Sequence, residues 1–309
     1  MNRRAFVRKF GTGTLLLGAS AWPWEALAAR GEIQQLTILH TNDVHSRMEP
    51  FPMDGGRHQG MGGAARRAAL IKQIRAEAEQ VLLLDAGDIF QGTPYFNFFG
   101  GELEMKLMSE MGYDAATIGN HDFDAGLEGL HRQLPHTQFP LINANYDFSD
   151  TVMNGQTTPY QVFKKGGIKV GITGVGIELA GLVPKDKYGR TRYTDPIAAA
   201  NHKAAILKGD YGCDYVICLS HLGFRYDSPQ RVSDHTLAQQ SQGIDLILGG
   251  HTHTFLDAPV RVINAEGEAV LIHQVGWAGL RLGRIDVYFE KRRQRKAARG
   301  QSLPVGASD

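Results

Sequence analysis

From Leu36 to Phe289 the chain alternates short apolar runs with segments of helical period. Runs at 36–39, 81–84, 115–118, 215–219 and 244–248 have the length and composition of strands buried on both faces. Between them, apolar positions recur with helical spacing at 64–77, 103–111, 197–207 and 231–240, which predicts helices. Runs at 160–163 and 168–173 flank Lys164-Lys165-Gly166-Gly167 and read as a hairpin, as do runs at 259–263 and 269–273 around Asn264-Ala265-Glu266-Gly267. Residues 282–289 read as a closing strand. Helix-linked strands together with hairpins predict an α/β fold with parallel and antiparallel pairs.

The two ends break this pattern. Arg3, Arg4, Arg8 and Lys9 precede an apolar run at 11–22, shorter than the roughly 20 residues that span a bilayer. Ala26-Leu27-Ala28 then has the spacing of a small-residue cleavage site. With Phe6 after the arginine pair, residues 1–28 resemble a twin-arginine export signal, with Val7 where that pattern often has Leu. The resemblance implies folded export by the twin-arginine machinery, to the periplasm in a Gram-negative cell. It also implies no transmembrane anchor after cleavage, and with no Cys at the cleavage site a lipid anchor is not expected. At the other end, Lys291, Arg292, Arg293, Arg295, Lys296 and Arg299 crowd into residues 291–309. Such a run reads as a solvated tail, or as a docking segment for a partner or membrane surface.

These ends change the meaning of the charge. The 309 residues carry 33 Lys+Arg and 32 Asp+Glu, a net +1. The first 28 residues hold four bases and one acid, and the segment from Lys291 six bases and one acid, so the body carries about −7. An acidic body argues against a nucleic-acid-coating protein. At 42% hydrophobic residues, wholesale disorder is excluded. Cys213 and Cys218 cannot make a disulfide framework, and their odd spacing along a strand predicts opposite faces and no mutual pairing. Residues 54–63 hold five glycines and predict a mobile connection; no Gly-Lys-Ser/Thr follows, so it is not a phosphate-gripping P-loop.

The polar residues after the five buried strands carry the chemistry. They are His40-Thr-Asn-Asp43-Val-His45, Asp85-Ala-Gly-Asp88, Gly119-Asn120-His121-Asp122-Phe-Asp124, Ser220-His221 and Gly249-Gly250-His251-Thr-His253. Ligands of open α/β sheets bind beyond the carboxyl ends of strands, so these segments can converge on one crevice. Carboxylate, amide oxygen and imidazole suit divalent ions such as Mn, Fe, Zn or Co. Seven such groups exceed the needs of one ion and fit a pair about 3.5–4 Å apart. A carboxylate must bridge such a pair, and Asp88, placed tightly after Gly87, is the natural candidate.

Asp-x-His, Gly-Asp, Gly-Asn-His-Asp, a lone His and Gly-His-x-His, in this order, closely resemble the calcineurin-like metallophosphatase superfamily. Leu39-His-Thr-Asn-Asp43 and Gly119-Asn-His-Asp-Phe-Asp124 are similar to the catalytic domain of bacterial 5′-nucleotidases. The resemblance implies a four-layer α/β/β/α sandwich of two mixed sheets, forming one catalytic domain over 34–290. It implies two divalent metal ions, Mn2+, Zn2+ or similar. Asp43, His45 and His253 would hold one, Asn120, His221 and His251 the other, and Asp88 would bridge. His121 would face the phosphoryl group, oriented by Asp124, while Asp85 and Asp122 would orient ligands. The activity implied is hydrolysis of phosphate esters, nucleotides among them, by metal-activated water. Relatives carry a C-terminal domain that holds the nucleoside, and this chain is expected to lack it, so a separate chain is expected to supply that domain unless the substrate is simpler. Two other readings stay open: a thiosulfohydrolase of sulfur oxidation, and a non-catalytic metal-binding subunit.

Overall fold

A computed structural model describes residues 33–228, 231–290 and 296–306. The predicted export signal lies outside the described residues. The strands in chain order are β1 (Ile33–Thr41), β2 (Val81–Asp85), β3 (Ala115–Ala116), β4 (Tyr146–Asp147), β5 (Tyr160–Lys165), β6 (Ile168–Gly176), β7 (Arg192–Tyr193), β8 (Tyr215–His221), β9 (Leu246–Gly249), β10 (Val260–Ile263), β11 (Ala269–His273), β12 (Arg281–Glu290) and β13 (Lys296–Pro304). They form a five-stranded sheet, β13-β12-β1-β2-β3, a six-stranded sheet, β10-β11-β9-β8-β6-β5, and a separate antiparallel pair, β4-β7. In the first, β1, β2 and β3 run parallel, with β12 and β13 added antiparallel. In the second, β6, β8, β9 and β11 run parallel, and the hairpin partners β5 and β10 close the edges.

Period-two alternation builds the layers. Leu36, Ile38, Leu82 and Leu84 of the first sheet meet Ile217, Leu219, Leu246 and Leu248 of the second in one dry core. Their neighbours face outward. Leu39 and Leu83 pack under the helices Ala64–Glu77 and Glu102–Met111, and Val216 and Ile247 under Pro196–Gly209 and Asp234–Gln240. Because every position of these strands is covered on one side or the other, they read as continuous apolar runs. The result is the expected four-layer α/β/β/α sandwich. No helix among the described residues is long and apolar enough to cross a membrane.

Three expectations need correcting. Within the expected tail 291–309, residues 291–295 and 307–309 lie outside the described residues, but Lys296–Pro304 form a strand: β13 pairs along β12 from Phe289↔Lys296 to Arg281↔Pro304. Ala297 and Ala298 are buried there, and Arg299 lies 3.8 Å from the buried carboxylate of Asp286. The last two residues of the basic run, Lys296 and Arg299, belong to an edge strand, and edge strands commonly carry basic residues that block further pairing. Cys213 and Cys218 are both free, as expected, but not for the expected reason. Cys213 precedes β8, so strand parity does not apply, and both sulfurs lie in the same core beneath the outer helices. Finally, the run at 115–118 pairs only at Ala115–Ala116, because the chain turns away there into the loop that carries Asn120.

Candidate metal centre

All five loops converge where the carboxyl ends of β1, β2 and β3 meet those of β8 and β9, so the site straddles both sheets. Asp43, His45 and His253 form one cluster of donors, and Asp88, His221 and His251 a second. Asn120 joins the second, its Oδ1 lying 2.8 Å from His251 Nδ1. Asp88 Oδ2 stands between the two, 3.1 Å from His221 Nε2 and 3.8 Å from His45 Nε2. Asp43 Oδ1 lies 3.4 Å from His253 Nε2.

Backbone strain marks the same residues. Asp43, His45, Asp88, His251 and His253 all have φ between 51° and 72°, a region uncommon for side chains other than glycine and costly unless the surroundings enforce it. The enforcement is visible. Asp43 N–H donates to Gly87 O, and His45 N–H to Asp88 O, so the first two loops are laced together. Asp122 accepts N–H bonds from Asp88, Ile89, Phe90 and Gly119, which fixes the second loop against the third. Asp85 accepts from Thr41 Oγ1 and Gly87 N–H. Glycine is required at Gly119, where a Cβ would run into Asp88 Oδ1 and the Asp88 backbone nitrogen.

The donors fit a cation. His221 Nδ1 lies 2.7 Å from the Ala86 carbonyl and so carries the proton. Its Nε2 is left buried without a hydrogen-bond partner, with Asp88 Oδ2 close by. Two acceptors facing each other at this distance need a proton or a metal ion between them. Burial alone would lower the His221 pKa, but Asp88 and Asp43 outweigh it and raise it to about 10. Burial opposes ionisation of Asp88, yet His221, His45 and His121 hold its carboxyl below the usual carboxylate range. The carboxylates of Asp88 and Asp43 facing His221 Nε2 favour positive charge at this point. His45 repeats the arrangement: Nδ1 lies 3.2 Å from the Phe90 carbonyl, and Nε2 is aimed at His253 Nε2, 3.0 Å away.

His121 stands at the mouth, its side chain 39% exposed. Its Nδ1 lies 2.9 Å from Asp124 Oδ2, and this bond raises the imidazole pKa against the opposing effect of burial. Its backbone N–H donates to Asp88 Oδ1 at 2.7 Å.

The structure adds groups that the sequence reading passed over. Asp234 accepts from Ser220 Oγ and Gln274 Nε2, and Gln274 also donates to Gly250 O, so this pair braces the turn bearing His251. Their signal was slight: Asp234 sits in a helix start after Ser233, and Gln274 is one polar residue after a strand. Asn42 braces the Asp43 carboxylate and the Gly276 carbonyl. Arg231 lies with Nη2 3.3 Å from His251 Nε2 and its guanidinium 3.9 Å over the Tyr226 ring. Nothing in the sequence marks it, since the expected helix 231–240 begins only at Asp234.

Two clusters of cation donors at the strand ends of a four-layer sandwich define the class: a fold and site of the metal-dependent phosphatase type. The sequence model of the calcineurin-like phosphoesterase family matches residues 36–255, and the chain belongs to that family. It is 36% identical over 297 residues to a snake venom 5′-nucleotidase of Gloydius brevicauda, covering 89% of this chain and 49% of that protein. The human 5′-nucleotidase is 33% identical over 316 residues, covering 96% and 53%. The crystal structure of a 5′-nucleotidase precursor from Thermus thermophilus superposes with a TM-score of 0.78 at 33% identity, covering 88% of this chain and 55% of that one. The chain spans about half the length of the curated relatives it matches.

Proposed function

We propose that this chain is a metal-dependent phosphoesterase of 5′-nucleotidase type, acting outside the cytoplasm. The observation that carries the reading is the meeting of seven donor groups, Asp88 and six others, with His121 beside them. Asp43, His45 and His253 would hold one divalent cation, Asn120, His221 and His251 the other, and Asp88 would be shared. Bound there, such a pair supplies Lewis acidity and a water of lowered pKa.

The residues of the chain do the rest. The exposed side of His121 faces the substrate, and with Nδ1 bonded to Asp124 its other nitrogen is free to donate to the leaving ester oxygen. Its raised pKa keeps it protonated nearer neutrality. Water attacks phosphorus as the opposite P–O ester bond breaks; the leaving oxygen takes the His121 proton and the water's proton passes to the phosphate released or to solvent, so no covalent enzyme intermediate is needed. Arg231 at the rim offers a cation to the non-bridging oxygens.

Export rests on the arginine pair and the Ala26-Leu27-Ala28 site, and a venom relative fits that reading. A separate substrate-binding chain is proposed to dock over the rim, where His121 and His253 keep 39% and 40% of their side chains exposed.

The test is metal analysis of the purified protein with a panel of nucleotides, phosphodiesters, simple phosphomonoesters and S-sulfonates, each with Mn2+ or Zn2+. Two ions per chain and release of phosphate from nucleotides support the proposal. Turnover confined to S-sulfonates, or failure to bind divalent metal, would contradict it.

A further inference from the structure

Beside the metal centre lies a cluster of rings that the phosphoesterase chemistry does not use. Trp277 stacks on His253, with centroids 5.8 Å apart and planes within 9°. Phe51 meets Trp277 edge-on at 5.7 Å, and His58 lies 5.7 Å from Phe51. Phe255 is near-parallel to His58 at 6.5 Å. Gly276 closes the circle: a Cβ there would run into the Phe255 ring, so its absence lets that ring lie against the backbone beside Trp277. Two guanidiniums cap the group, Arg47 4.2 Å over Phe51 and Arg281 5.0 Å over Phe255.

Three separate stretches of chain bring these rings together, and the packing leaves each of them partly exposed. Phe255 is 38% exposed, and Phe51, His58 and Trp277 are half-buried. The His253 end of the cluster is in the first cluster of cation donors. Flat π-surfaces flanked by cations are the platforms on which bases stack, whatever their sequence identity. A ligand that brings a phosphate ester to the donors and a flat ring to this patch is a nucleotide.

We propose that Trp277, Phe255, His58 and Phe51 form a nucleobase-binding platform on the catalytic domain itself. The choice of a nucleotide rests on the phosphoesterase reading above, so the experiment separates the two. Trp277 is the one tryptophan besides Trp22 and Trp24. In the full chain carrying Trp22→Phe and Trp24→Phe, emission reports on Trp277 alone. Titration with adenosine and with AMP is expected to quench it, and ribose 5-phosphate is expected to leave it unchanged. Phe255→Leu should raise the half-saturating AMP concentration on the order of tenfold. No response to adenosine or AMP, or an equal response to ribose 5-phosphate, overturns the platform. AMP hydrolysis with Mn2+ or Zn2+ is read in the same protein. Hydrolysis without quenching overturns the platform alone, and quenching without hydrolysis upholds it while overturning the phosphoesterase reading.

Discussion

His121 Nδ1 and Asp124 Oδ2 stand 2.9 Å apart across a single helical turn, and the His121 side chain keeps 39% of its surface exposed. If the imidazole donates a proton to the leaving group, His121→Ala should lower kcat on the order of 10²–10⁴-fold. Metal content should not change, because the ring is outside both donor clusters. Asp124 raises the His121 pKa. Activity that needs the protonated ring falls as pH rises through that value, so Asp124→Asn should move the falling limb of the pH–kcat profile to lower pH. An unmoved limb would argue that Asp124 is merely structural.

How much of this was legible beforehand follows from where the information lies. Buried strands announce themselves because both faces need apolar residues, so Leu36–Leu39 and Tyr215–Leu219 were readable, and so was the polar residue following each. The candidate donors were readable because metal chemistry restricts residue types. What stayed hidden depends on long-range geometry. Asp234 and Gln274 are 40 residues apart and meet only once β8, β9 and β11 are paired. β13 was masked by its charges, since an edge strand needs only one covered side. Arg231 is exposed and lies before the helix that the 231–240 pattern predicted, which starts at Asp234.

Asp88→Asn should impair metal loading itself. One oxygen of Asp88 faces both His221 and His45, and the amide keeps the shape but removes the charge. Titration calorimetry with Mn2+ or Zn2+ is expected to show loss of tight binding at one or both sites. Two ions bound at parental affinity would rule out the shared role.

Gly119→Ala tests the same centre without touching a ligand. The added methyl would strike Asp88 Oδ1 and the Asp88 nitrogen, so the carboxylate must shift. Loss of metal affinity should resemble that of Asp88→Asn. Gly209→Ala is the control, since a Cβ at that helix end meets nothing within 4 Å; it should be neutral or slightly stabilising.

Arg231→Gln separates binding from chemistry. The guanidinium sits over Tyr226 beside His251, within reach of substrate but outside the donor clusters. KM for phosphate esters should rise, and inhibition by inorganic phosphate should weaken, each by roughly tenfold, the worth of one charge-assisted hydrogen bond. A fall in kcat at unchanged KM would place its effect on the chemical step instead.

His40 on β1 and His273 on β11 join the two sheets across the dry core, Nε2 to Nδ1 at 2.8 Å, with both rings fully buried. Burial is the main cause that holds His40 well below the ordinary value of 6.5 and brings His273 to about 4. The unfolded chain therefore takes up protons at these rings before the folded protein does. Stability from the neutral pair is complete above about pH 6.5 and is lost as pH falls towards 4, by up to about 1.4 kcal/mol per pH unit for each ring. Urea unfolding of the parent and of His273→Gln at pH 7, 6 and 5 measures this contribution by difference, which cancels the carboxylates that titrate over the same range. The parent should lose stability more steeply on acidification, and parallel curves would show that the pair does not carry the acid sensitivity.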